Sequence, residues 1–556
     1  MSLNNQDRFV FLPLGGAGEI GMNLNLYGFG PPGKEKWIMI DLGITFNNGS
    51  MTGIDVIMPD PVYIEKKRKN LLGLILTHAH EDHLGAVPYL WSRLKCPIYA
   101  TPFTAGVLET KLIESEYITN AKINIVKLNG EFKLEPFKLK FVTLTHSIPE
   151  PSGIIIKTPI GTVFHTGDWK LDPNPVSGPP SNQDELRKLG NKGVMAIVCD
   201  STNVFDYGHS GSESDLLKTL SNIISNCPGK IAISCFSSNV ARLETISTAA
   251  KKNGRAVGIV GRSLQRIEKI ARNTGYLKNT PPFLKEDQIN EINDSQLLII
   301  CTGSQGEPRA ALTKILTNQH RTIKLSDKDT IIFSSRIIPG NEVSVNNLYN
   351  LIASKGIKSF TSKDHLTHVS GHPGQDDLKK MYELIKPKVS IPVHGEFRHL
   401  IEHSRLALKF GASQAVIVKN GDLINLSEKC TKIIKTVEVG RLSLDGSRLI
   451  ELNSEIYKSK KRAMWHGTAT LTIGLNTVKR KVFSPQVATT GLFENEKDPI
   501  LIQAIEIANV TAQNALATGL KNDKKIAENI RIAIRKHFKI KLGKRPITTI
   551  HLVQVE

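Results

Sequence analysis

The chain has 556 residues, of which 40% are hydrophobic and 22% are charged. This length allows about two to four domains, each with its own core, and it excludes a small scaffold held together by disulfides. The longest apolar stretches, such as residues 297–301 and 331–333, are far shorter than the roughly 20 residues that cross a bilayer, so we expect a soluble protein without a membrane partner.

The net charge is +20, because 72 lysines and arginines outnumber 52 aspartates and glutamates. Residues 453–556 alone carry 18 basic and 8 acidic side chains, an excess of 10. Such a surplus favours a polyanionic partner, although lysine can also serve only to solvate a surface.

The first residues lack the basic start and the long apolar run of a signal peptide, so we expect a cytoplasmic location. No two cysteines have the CxxC spacing of a metal or redox site, which agrees with a reducing compartment. The six cysteines stand at positions 96, 199, 227, 235, 301 and 430.

Short strands dominate the chain up to about residue 200. Apolar runs between Gly, Pro and Asn turns predict these strands, and helical periodicity is found at 84–94 and 104–116. The predicted strands cover residues 9–14, 23–27, 37–41, 72–77, 137–145, 153–157, 161–165 and 194–199.

Residues 210–363 differ in character, because helical stretches alternate there with fully apolar strands. This alternation is typical of a doubly wound α/β unit. The predicted helices are 212–225, 240–252 and 262–272, and the predicted strands are 230–234, 256–260, 297–301 and 330–333.

The last part of the chain resumes with a strand at 389–393 and a helix at 398–409. We expect a break near 426–451, followed by a basic tail. The tail has strand patterns at 469–473 and 547–555 and helical patterns at 499–517 and 523–536.

Gly16, Gly18 and Gly21 have the GxGxxG spacing of a dinucleotide-binding turn, with Asp41 further along the chain. That turn requires a helix to begin at the third glycine, so that the helix N-terminus faces the pyrophosphate. Residues 22–28 instead alternate and predict a strand, so we do not expect nicotinamide or flavin binding.

Residues 78–83, HAHEDH, place three histidines and two acids at the end of an apolar strand. Imidazole and carboxylate are good ligands for divalent metals. His78 and His80 point to the same side of an extended backbone, and Asp82 and His83, on the turn into a helix, can reach a second ion. The loop therefore predicts a site for two metals.

Two ions need more ligands than one loop provides. His146, Asp168 and His394 each lie in a short polar segment directly after a predicted strand, where α/β proteins collect functional side chains. Any one of them alone would more often be a turn or core residue. Eight of the 16 histidines lie in these segments and in the one around His372, and this clustering favours a common site.

These motifs resemble those of the ribonuclease J family, in the β-CASP branch of the metallo-β-lactamase superfamily. The resemblance covers the whole chain and is weakest at 253–294 and in the tail. The similar segments, in chain order, are GGAGEIGMN, IDLG, LTHAHEDHLGAVPYL, HTGDWK, CDSTN, HVSGHPGQDDLKKM and PVHGEFRHL.

The resemblance implies an α/β fold: a metallo-β-lactamase αββα sandwich with an inserted α/β β-CASP domain and a small C-terminal α+β domain. We expect the sandwich at 1–209 and 364–440, the insertion at 210–363, a linker at 441–452 and the basic C-terminal domain at 453–556.

The resemblance also implies two divalent metal ions per chain. Zinc is favoured by the ligand type, and manganese or magnesium stay open. Asp41 is expected to orient the first loop rather than to bind metal. The implied ligands are His78, His80 and His146 for the first ion, Asp82, His83 and His394 for the second, and Asp168 as a bridge.

His372 resembles the β-CASP histidine that completes the site, and Asp200 resembles the acid that orients it. Because the leaving 3′ oxygen needs a proton, we expect His372 to act as general acid or oxyanion stabiliser. Asp82 is counted as catalytic besides being a ligand. The alternative for His372 is a structural role at a domain junction. His394 is similar to the histidine of RNA-processing members, where DNA-repair members have valine.

Proteins of this family also recognise the terminal phosphate of the RNA by binding it. The resemblance implies a 5′-to-3′ exoribonuclease with 5′-monophosphate preference and endonuclease activity, acting in rRNA processing and mRNA decay. The residues in segments that match the phosphate-binding ones of the family are Ser238, Asn239, Asn341, His368 and Ser370. For each of them, a role in a turn or a helix cap is equally open.

Two other functions stay open at this point. A thioester or lactone hydrolase would share the loop at 78–83, but it has no need of the insertion or the surplus charge. A non-catalytic nucleic-acid-binding protein is disfavoured, because structural metal sites are usually rich in cysteine.

We expect RNA as the partner and a homodimer or homotetramer, with the tail serving RNA retention or subunit contact. Partners in a degradation complex stay unidentified.

Overall fold

The computed structural model describes residues 7–47, 53–115, 120–520 and 522–555. The chain forms two compact units, the first of which reaches Leu442, while the second begins at Ser443. Within the described ranges, no helix is long and apolar enough to cross a membrane.

Two mixed sheets of the first unit pack face to face around one core, where Phe9 contacts Phe137 with ring centroids 6.4 Å apart. In spatial order, the strands of the first sheet are Lys432–Thr436, Asp422–Leu426, Arg8–Gly15, Leu24–Gly30, Lys36–Ile40, Leu71–Ile75, Ile98–Ala100 and Ile123–Ile125. Those of the second are Glu131–Leu134, Phe137–Thr143, Ser152–Lys157, Thr162–His165, Val194–Asp200, Pro387–Val393 and Gln414–Ala415.

Helices cover the outer face of the second sheet. Leu378, Tyr382 and Leu406 belong to their apolar faces and pack in one cluster with Ile197, so the strand Val194–Asp200 is buried on both faces. The covering helices are Gln183–Lys192, Gln375–Ile385 and Phe397–Lys409.

The other helices of the sandwich are Val62–Glu65, Glu81–Leu84, Val87–Leu94 and Pro102–Ser115, with a 3₁₀ turn at Arg68–Asn70. Short strand pairs join Thr45–Phe46 to Val56–Pro59 and Ala17–Gly18 to Gly395–Glu396.

Parallel pairing gathers polar residues at one edge of each large sheet. The strands Thr162–His165, Val194–Asp200 and Pro387–Val393 run parallel, as do Lys36–Ile40 and Leu71–Ile75. Because parallel strands end at the same edge, the segments that follow these strands lie side by side.

The first unit also contains a five-stranded, fully parallel sheet with a core of its own. Its strands, in spatial order, are Ala256–Val260, Leu297–Cys301, Ile231–Ser234, Thr330–Phe333 and Lys358–Phe360. The helices in this part are Leu216–Ser225, Val240–Lys252, Arg262–Asn273, Glu286–Ile289, Ala311–Leu316 and Glu342–Ser354, with 3₁₀ turns at Glu213–Asp215 and Asp294–Gln296.

The second unit is built around the strand Thr468–Asn476, whose alternate residues enter a core with two long helices. This strand pairs with Lys481–Val482 and Gln486–Thr490, and in parallel with Ile547–Gln554. The helices are Glu455–His466, Pro499–Ala517 and Asp523–Leu542.

The break expected near 426–451 contains the boundary between the two units, which falls between Leu442 and Ser443. The chain on both sides of this boundary is regular. Lys432–Thr436 extends the first sheet as an edge strand, and the expected linker, 441–452, contains the strands Arg441–Asp445 and Arg448–Glu451. The side chains of Lys432–Thr436 are exposed on both faces, so the alternation that would predict a strand is missing.

The glycine motif near the start leads into a strand, as predicted. Residues after Gly21 form the strand Leu24–Gly30 and not a helix. Gly16, at φ +86°, instead permits a tight turn against Asn23, whose Oδ1 would lie 2.2 Å from an added Cβ.

We expect Phe538→Ala to destabilise the second unit by about 3–5 kcal/mol, because Phe538 is fully buried in its core. Ile540→Ala, on the same helix but 68% exposed, should change stability by less than about 0.5 kcal/mol. Amide hydrogen exchange across Asp523–Leu542 measures both effects. Equal effects of the two substitutions would contradict this packing.

Candidate metal centre and active site

The loop after the strand Leu71–Ile75 is held in place by backbone hydrogen bonds from the neighbouring segment. The N–H of Leu42 donates to the carbonyl of His83 at 2.7 Å, and the N–H of Asn23 donates to that of Asp82 at 2.9 Å. Gly43 makes this approach possible, because a Cβ at that position would lie 1.7 Å from the Asp82 carbonyl oxygen.

Four side chains from three segments form a first donor cluster, which consists of His78, His80, His146 and Asp168. Nδ1 of His80 lies 3.1 Å from Nε2 of His78 and 3.1 Å from Nε2 of His146. Asp168 Oδ2 is 3.8 Å from both of those Nε2 atoms.

A second donor cluster shares Asp168 and adds Asp82, His83 and His394. Nε2 of His83 is 3.2 Å from Asp168 Oδ2, and Nε2 of His394 is 3.0 Å from Asp82 Oδ2. All seven predicted ligands therefore converge, and they divide into the two expected groups with Asp168 in both.

Hydrogen bonds on the outer side of the imidazoles point their free lone pairs into the clusters. Each of the five rings has its other nitrogen within hydrogen-bond distance of an oxygen, so with the proton on that nitrogen the inward nitrogen can bind a cation. The inward Nε2 of His83 also lies 3.1 Å from Asn23 Nδ2. The acceptors are Thr77 Oγ1 for His78 at 3.0 Å, Ser238 Oγ for His80 at 3.1 Å, Gly371 O for His146 at 2.5 Å, Asp41 Oδ2 for His83 at 2.6 Å and Thr202 Oγ1 for His394 at 2.8 Å.

Asp168 gives a further indication of a cation. Its Oδ1 is buried and has no hydrogen-bond partner among the described residues. A buried carboxylate oxygen without a partner is costly unless a positive charge faces it. Seven nitrogen and oxygen donors in two overlapping sets fit two divalent metal ions.

The titration of the imidazoles differs between the two clusters. Burial lowers the pKa of His80 to about 4 and holds the pKa values of His78 and His146 well below normal, so these rings are neutral. Burial also opposes the charged form of His83 and His394, but the surrounding carboxylates, of which Asp168 contributes most, together outweigh it and raise both pKa values. The second cluster therefore attracts positive charge strongly.

Asp41 lies behind the loop and contacts it at three points. Its Oδ1 accepts the N–H of Thr77 at 2.8 Å, and its Oδ2 accepts the Thr77 hydroxyl at 2.8 Å as well as His83 Nδ1. Asp41 adopts φ +63°, which is unusual for a non-glycine residue and directs its carboxylate under the loop.

His372 lies beside the second cluster, with one nitrogen bonded to Asp200. Its Nδ1 donates to Asp200 Oδ2 at 2.8 Å and is 3.9 Å from Asp168 Oδ2. Burial opposes protonation of His372, but Asp200 outweighs it and raises the pKa of the ring. The imidazole is therefore able to carry a proton next to the cluster.

Thr202 connects this pair to the metal donors and was not anticipated from the sequence. Its hydroxyl donates to Asp200 Oδ1 at 2.7 Å and accepts from His394 Nδ1. Its place in the CDSTN segment, next to Asp200, was the available signal.

The five predicted phosphate-binding residues have different surroundings. Ser238 touches His80, and Ser370 Oγ accepts from the backbone N–H of His372 at 3.2 Å, so both lie next to the donor clusters. Asn239 caps the helix Val240–Lys252 through its Oδ1. Asn341 Nδ2 donates to Gln305 Oε1 at 3.3 Å, and the structure does not connect it to the other four.

His368, the fifth of these residues, lies 3.5 Å from a buried arginine that was not predicted from the sequence. Arg242 is fully buried and forms a two-point ion pair with Glu213, at 2.5 and 3.0 Å. Its Nη1 donates to the Ser334 carbonyl and hydroxyl, both at 2.7 Å. Burial and the charge of Arg242 hold the pKa of His368 well below normal. Nothing in its sequence neighbourhood distinguishes Arg242 from a solvated helix residue.

Three family models match the chain. "Metallo-beta-lactamase superfamily" matches residues 27–224, "Ribonuclease J, beta-CASP domain" matches 228–352, and "Zn-dependent metallo-hydrolase RNA specificity domain" matches 362–418.

Curated relatives are similar over nearly the whole chain. "Ribonuclease J" of Sinorhizobium meliloti is 38% identical over 99% of this chain and 98% of the relative. "Ribonuclease J" of Helicobacter pylori is 33% identical over 99% of this chain and 80% of the relative. "Ribonuclease J2" of Bacillus subtilis is 29% identical over 98% of this chain and 99% of the relative. A solved structure of a protein of unknown function from Enterococcus faecalis V583 aligns with a TM-score of 0.53 at 16% identity, covering 75% of this chain and 100% of that one, and supports the fold alone.

We expect Gly43→Ala to destabilise the protein by about 1–3 kcal/mol and to lower its metal content, because the added Cβ would collide with the backbone of Asp82. Thermal unfolding and elemental analysis of the purified protein measure the two effects.

Gly106→Ala is the control. Gly106 lies within the helix Pro102–Ser115, and its added Cβ would meet only a methyl group of Ile270 at 3.1 Å. Its stability should stay within about 1 kcal/mol of the parent protein. Unchanged metal content in Gly43→Ala would contradict the role given to this contact.

Proposed function

The chain belongs to the ribonuclease J family and is a metal-dependent hydrolytic ribonuclease, and from this premise we propose that it degrades RNA from the 5′ end. We propose that it prefers a 5′ monophosphate, also cuts internally, and acts in rRNA processing and mRNA decay in the cytoplasm. The fold is the expected metallo-β-lactamase sandwich with an inserted β-CASP domain, for which we propose the limits 210–363. The RNA specificity domain argues against a thioester or lactone hydrolase.

We propose that the first donor cluster binds one divalent ion and the second binds another, with Asp168 between them and zinc as the metal. The observation that carries this proposal is the position of Asp168, whose Oδ2 lies 3.8 Å from His78 Nε2 in the first cluster and 3.2 Å from His83 Nε2 in the second. When bound, two such ions activate a water and stabilise charge on the phosphorus that it attacks.

The chain itself supplies the proton for the leaving group. Because His372 Nδ1 is bonded to Asp200, its Nε2 is the atom available to protonate the departing 3′ oxygen. Asp200 keeps the ring in this orientation and favours its charged form, and Thr202 ties Asp200 to His394. Asp82 would serve beside them as one of the residues that hold the second ion.

The 5′ phosphate would be bound by neutral donors next to the first cluster. His368 is uncharged because its pKa is lowered, so its imidazole can donate a hydrogen bond without adding charge. Ser238 is within hydrogen-bond distance of His80, so this hydroxyl lies directly beside the first cluster. We propose that Ser370 and Asn239 complete this set, which would favour a monophosphate over a bulkier triphosphate. Asn341, also predicted from the sequence, bonds to Gln305, and within the described residues no hydrogen bond joins it to the other four.

Subunit contacts are proposed for the second unit. Its two long helices expose Ile502, Val510, Ile532 and Ile540, which a homodimer or homotetramer would cover. Light scattering of the full chain and of a variant with Val510→Lys and Ile532→Lys tests this. An unchanged mass would exclude these residues as the contact.

We expect His372→Ala to slow RNA hydrolysis by about 10²–10⁴-fold while the metal content stays unchanged, because His372 is not among the proposed ligands. Asp168→Asn should instead lose both metal and activity. Hydrolysis of RNA, DNA and a simple thioester by metal-loaded protein is the measurement, with elemental analysis of each variant. Full activity of Asp168→Asn, or hydrolysis of the thioester but not of RNA, would refute the proposal.

We expect the double variant Ser370→Ala with His368→Ala to reduce the preference for 5′-monophosphorylated over 5′-triphosphorylated RNA, because it removes two of the donors. Competition between end-labelled RNAs with each 5′ group gives the ratio, and product length reports whether cleavage is terminal or internal. Ser359→Ala, in the parallel sheet away from the donors, is the control. A ratio equal to that of the control would remove these residues from the phosphate site.

A further inference from the structure

A cleft of about 540 Å³ opens at the carboxyl edge of the five-stranded parallel sheet. Its floor is formed by Gly261 and Thr302, which directly follow the strands Ala256–Val260 and Leu297–Cys301. None of its lining residues belongs to the donor clusters. Open parallel sheets bind ligands at this edge, where neighbouring strands end together.

The lining of the cleft is strongly basic. Five arginines and lysines line it. Arg266 is paired with Glu114 at 3.0 Å. The other four have no ion-pair partner among the residues that the structure describes, and they are Arg262, Arg309, Lys314 and Arg321. The only acid of the lining is Glu286. Four like charges around one cleft repel each other and concentrate anions there, so the surroundings favour a negatively charged ligand.

The backbone adds to this preference. The helix Arg262–Asn273 begins at the floor of the cleft, and no side chain caps its N-terminus. Gly261 adopts φ +127°, and a Cβ there would lie 2.9 Å from Thr302 Oγ1, so only glycine lets the two strand ends approach this closely. The uncapped N–H groups of the first turn thus lie beside the arginines.

The lining indicates which anion fits. It contains no phenylalanine, tyrosine or tryptophan on which a base could stack, and its one aromatic ring is the imidazole of His320. Guanidinium groups, by contrast, match the oxygens of a phosphate in pairs. We propose that this cleft, termed the arginine cleft, binds a phosphate group of a nucleotide, either within an RNA strand or in a free nucleotide.

The position of the arginine cleft connects it to the active site. Val260 and Ser234 end strands two positions apart in the sheet, a spacing of about 10 Å. The segment after Ser234 carries Ser238, which contacts His80. A strand of RNA that leaves the active site along this edge would reach the cleft, and this part of the inference rests on the proposed function.

Binding of a long single-stranded RNA in the presence of a chelator tests the proposal without cleavage. Arg262→Glu with Arg321→Glu should weaken binding by about tenfold or more at physiological salt, and the slope of log affinity against log salt should become shallower by about one for each phosphate no longer bound. Arg262→Gln with Arg321→Gln should act in the same direction but less strongly. Lys269→Glu, an exposed position on the same helix outside the lining, should change the affinity by less than about twofold.

Calorimetry with inorganic phosphate and with AMP distinguishes the two sources of phosphate. Binding of either compound that the arginine variants abolish, with RNA affinity unchanged, assigns the cleft to a free nucleotide. A decrease in RNA affinity alone assigns it to the RNA strand. If the Glu variants match Lys269→Glu in both experiments, the proposal is overturned.

Hydrolysis of a 5′-phosphorylated dinucleotide separates this proposal from the proposed function. In such a substrate the 5′ phosphate would occupy the terminal-phosphate site and the one internal phosphate would lie at the active site. No phosphate is left for the cleft, so the parent protein and all variants should cleave it at the same rate. Failure of the parent protein would overturn the proposed function and leave the binding result standing. If only the Glu variants fail to cleave the dinucleotide, the substitutions disturb the active site itself. That result would overturn the proposal that the cleft is a separate phosphate site.

Discussion

One buried carboxylate organises the active region. Asp168 Oδ2 is 3.2 Å from His83 Nε2 and 3.8 Å from His78 Nε2, and Oδ1 faces His394 at 3.8 Å. A carboxylate removed from water is strongly unfavourable unless cations or hydrogen bonds compensate it. The segments that end the parallel strands must therefore arrive together, because each supplies part of what Asp168 requires.

A surrounding layer of hydrogen bonds makes this arrangement specific. Asp41, through Thr77 and His83, and Asp200, through Thr202 and His394, each set the orientation and protonation of a donor ring from behind. Asp41 and His394 both have positive φ values, +63° and +52°. Such strained backbones persist only where the surroundings enforce them, and here they turn a side chain into the site at the end of a strand.

Much of this site was predictable from sequence, because its donors sit in short motifs directly after apolar strands. HAHEDH, His146, Asp168 and His394 each carried a local signal. Parallel pairing places Asp168 and His394 at one edge of the second sheet, and the packing of the two sheets brings the loop at 78–83 to them. Arg242 and Thr202 were missed for a physical reason. Their importance comes from partners distant in sequence, such as Glu213 for Arg242 and His394 for Thr202.

The fold shows the same division between local and distant causes. Helices such as Val240–Lys252 and Pro499–Ala517 begin and end as predicted, because their caps and apolar periods are local. The edge strand Lys432–Thr436 lacks alternation, since pairing along one side and not burial holds it. The helix Asp523–Leu542 continues past 536, because the buried Phe538 extends its contact with the core.

The buried pair of Arg242 and Glu213 has a consequence for how this family can diverge. The guanidinium bonds simultaneously to Glu213 and to the chain at Ser334, and it lies next to His368. Replacing either charge alone would leave the other buried and uncompensated. Homologues that differ at one of these positions should therefore also differ at the other. The two positions should change together even though 29 residues separate them in the sequence.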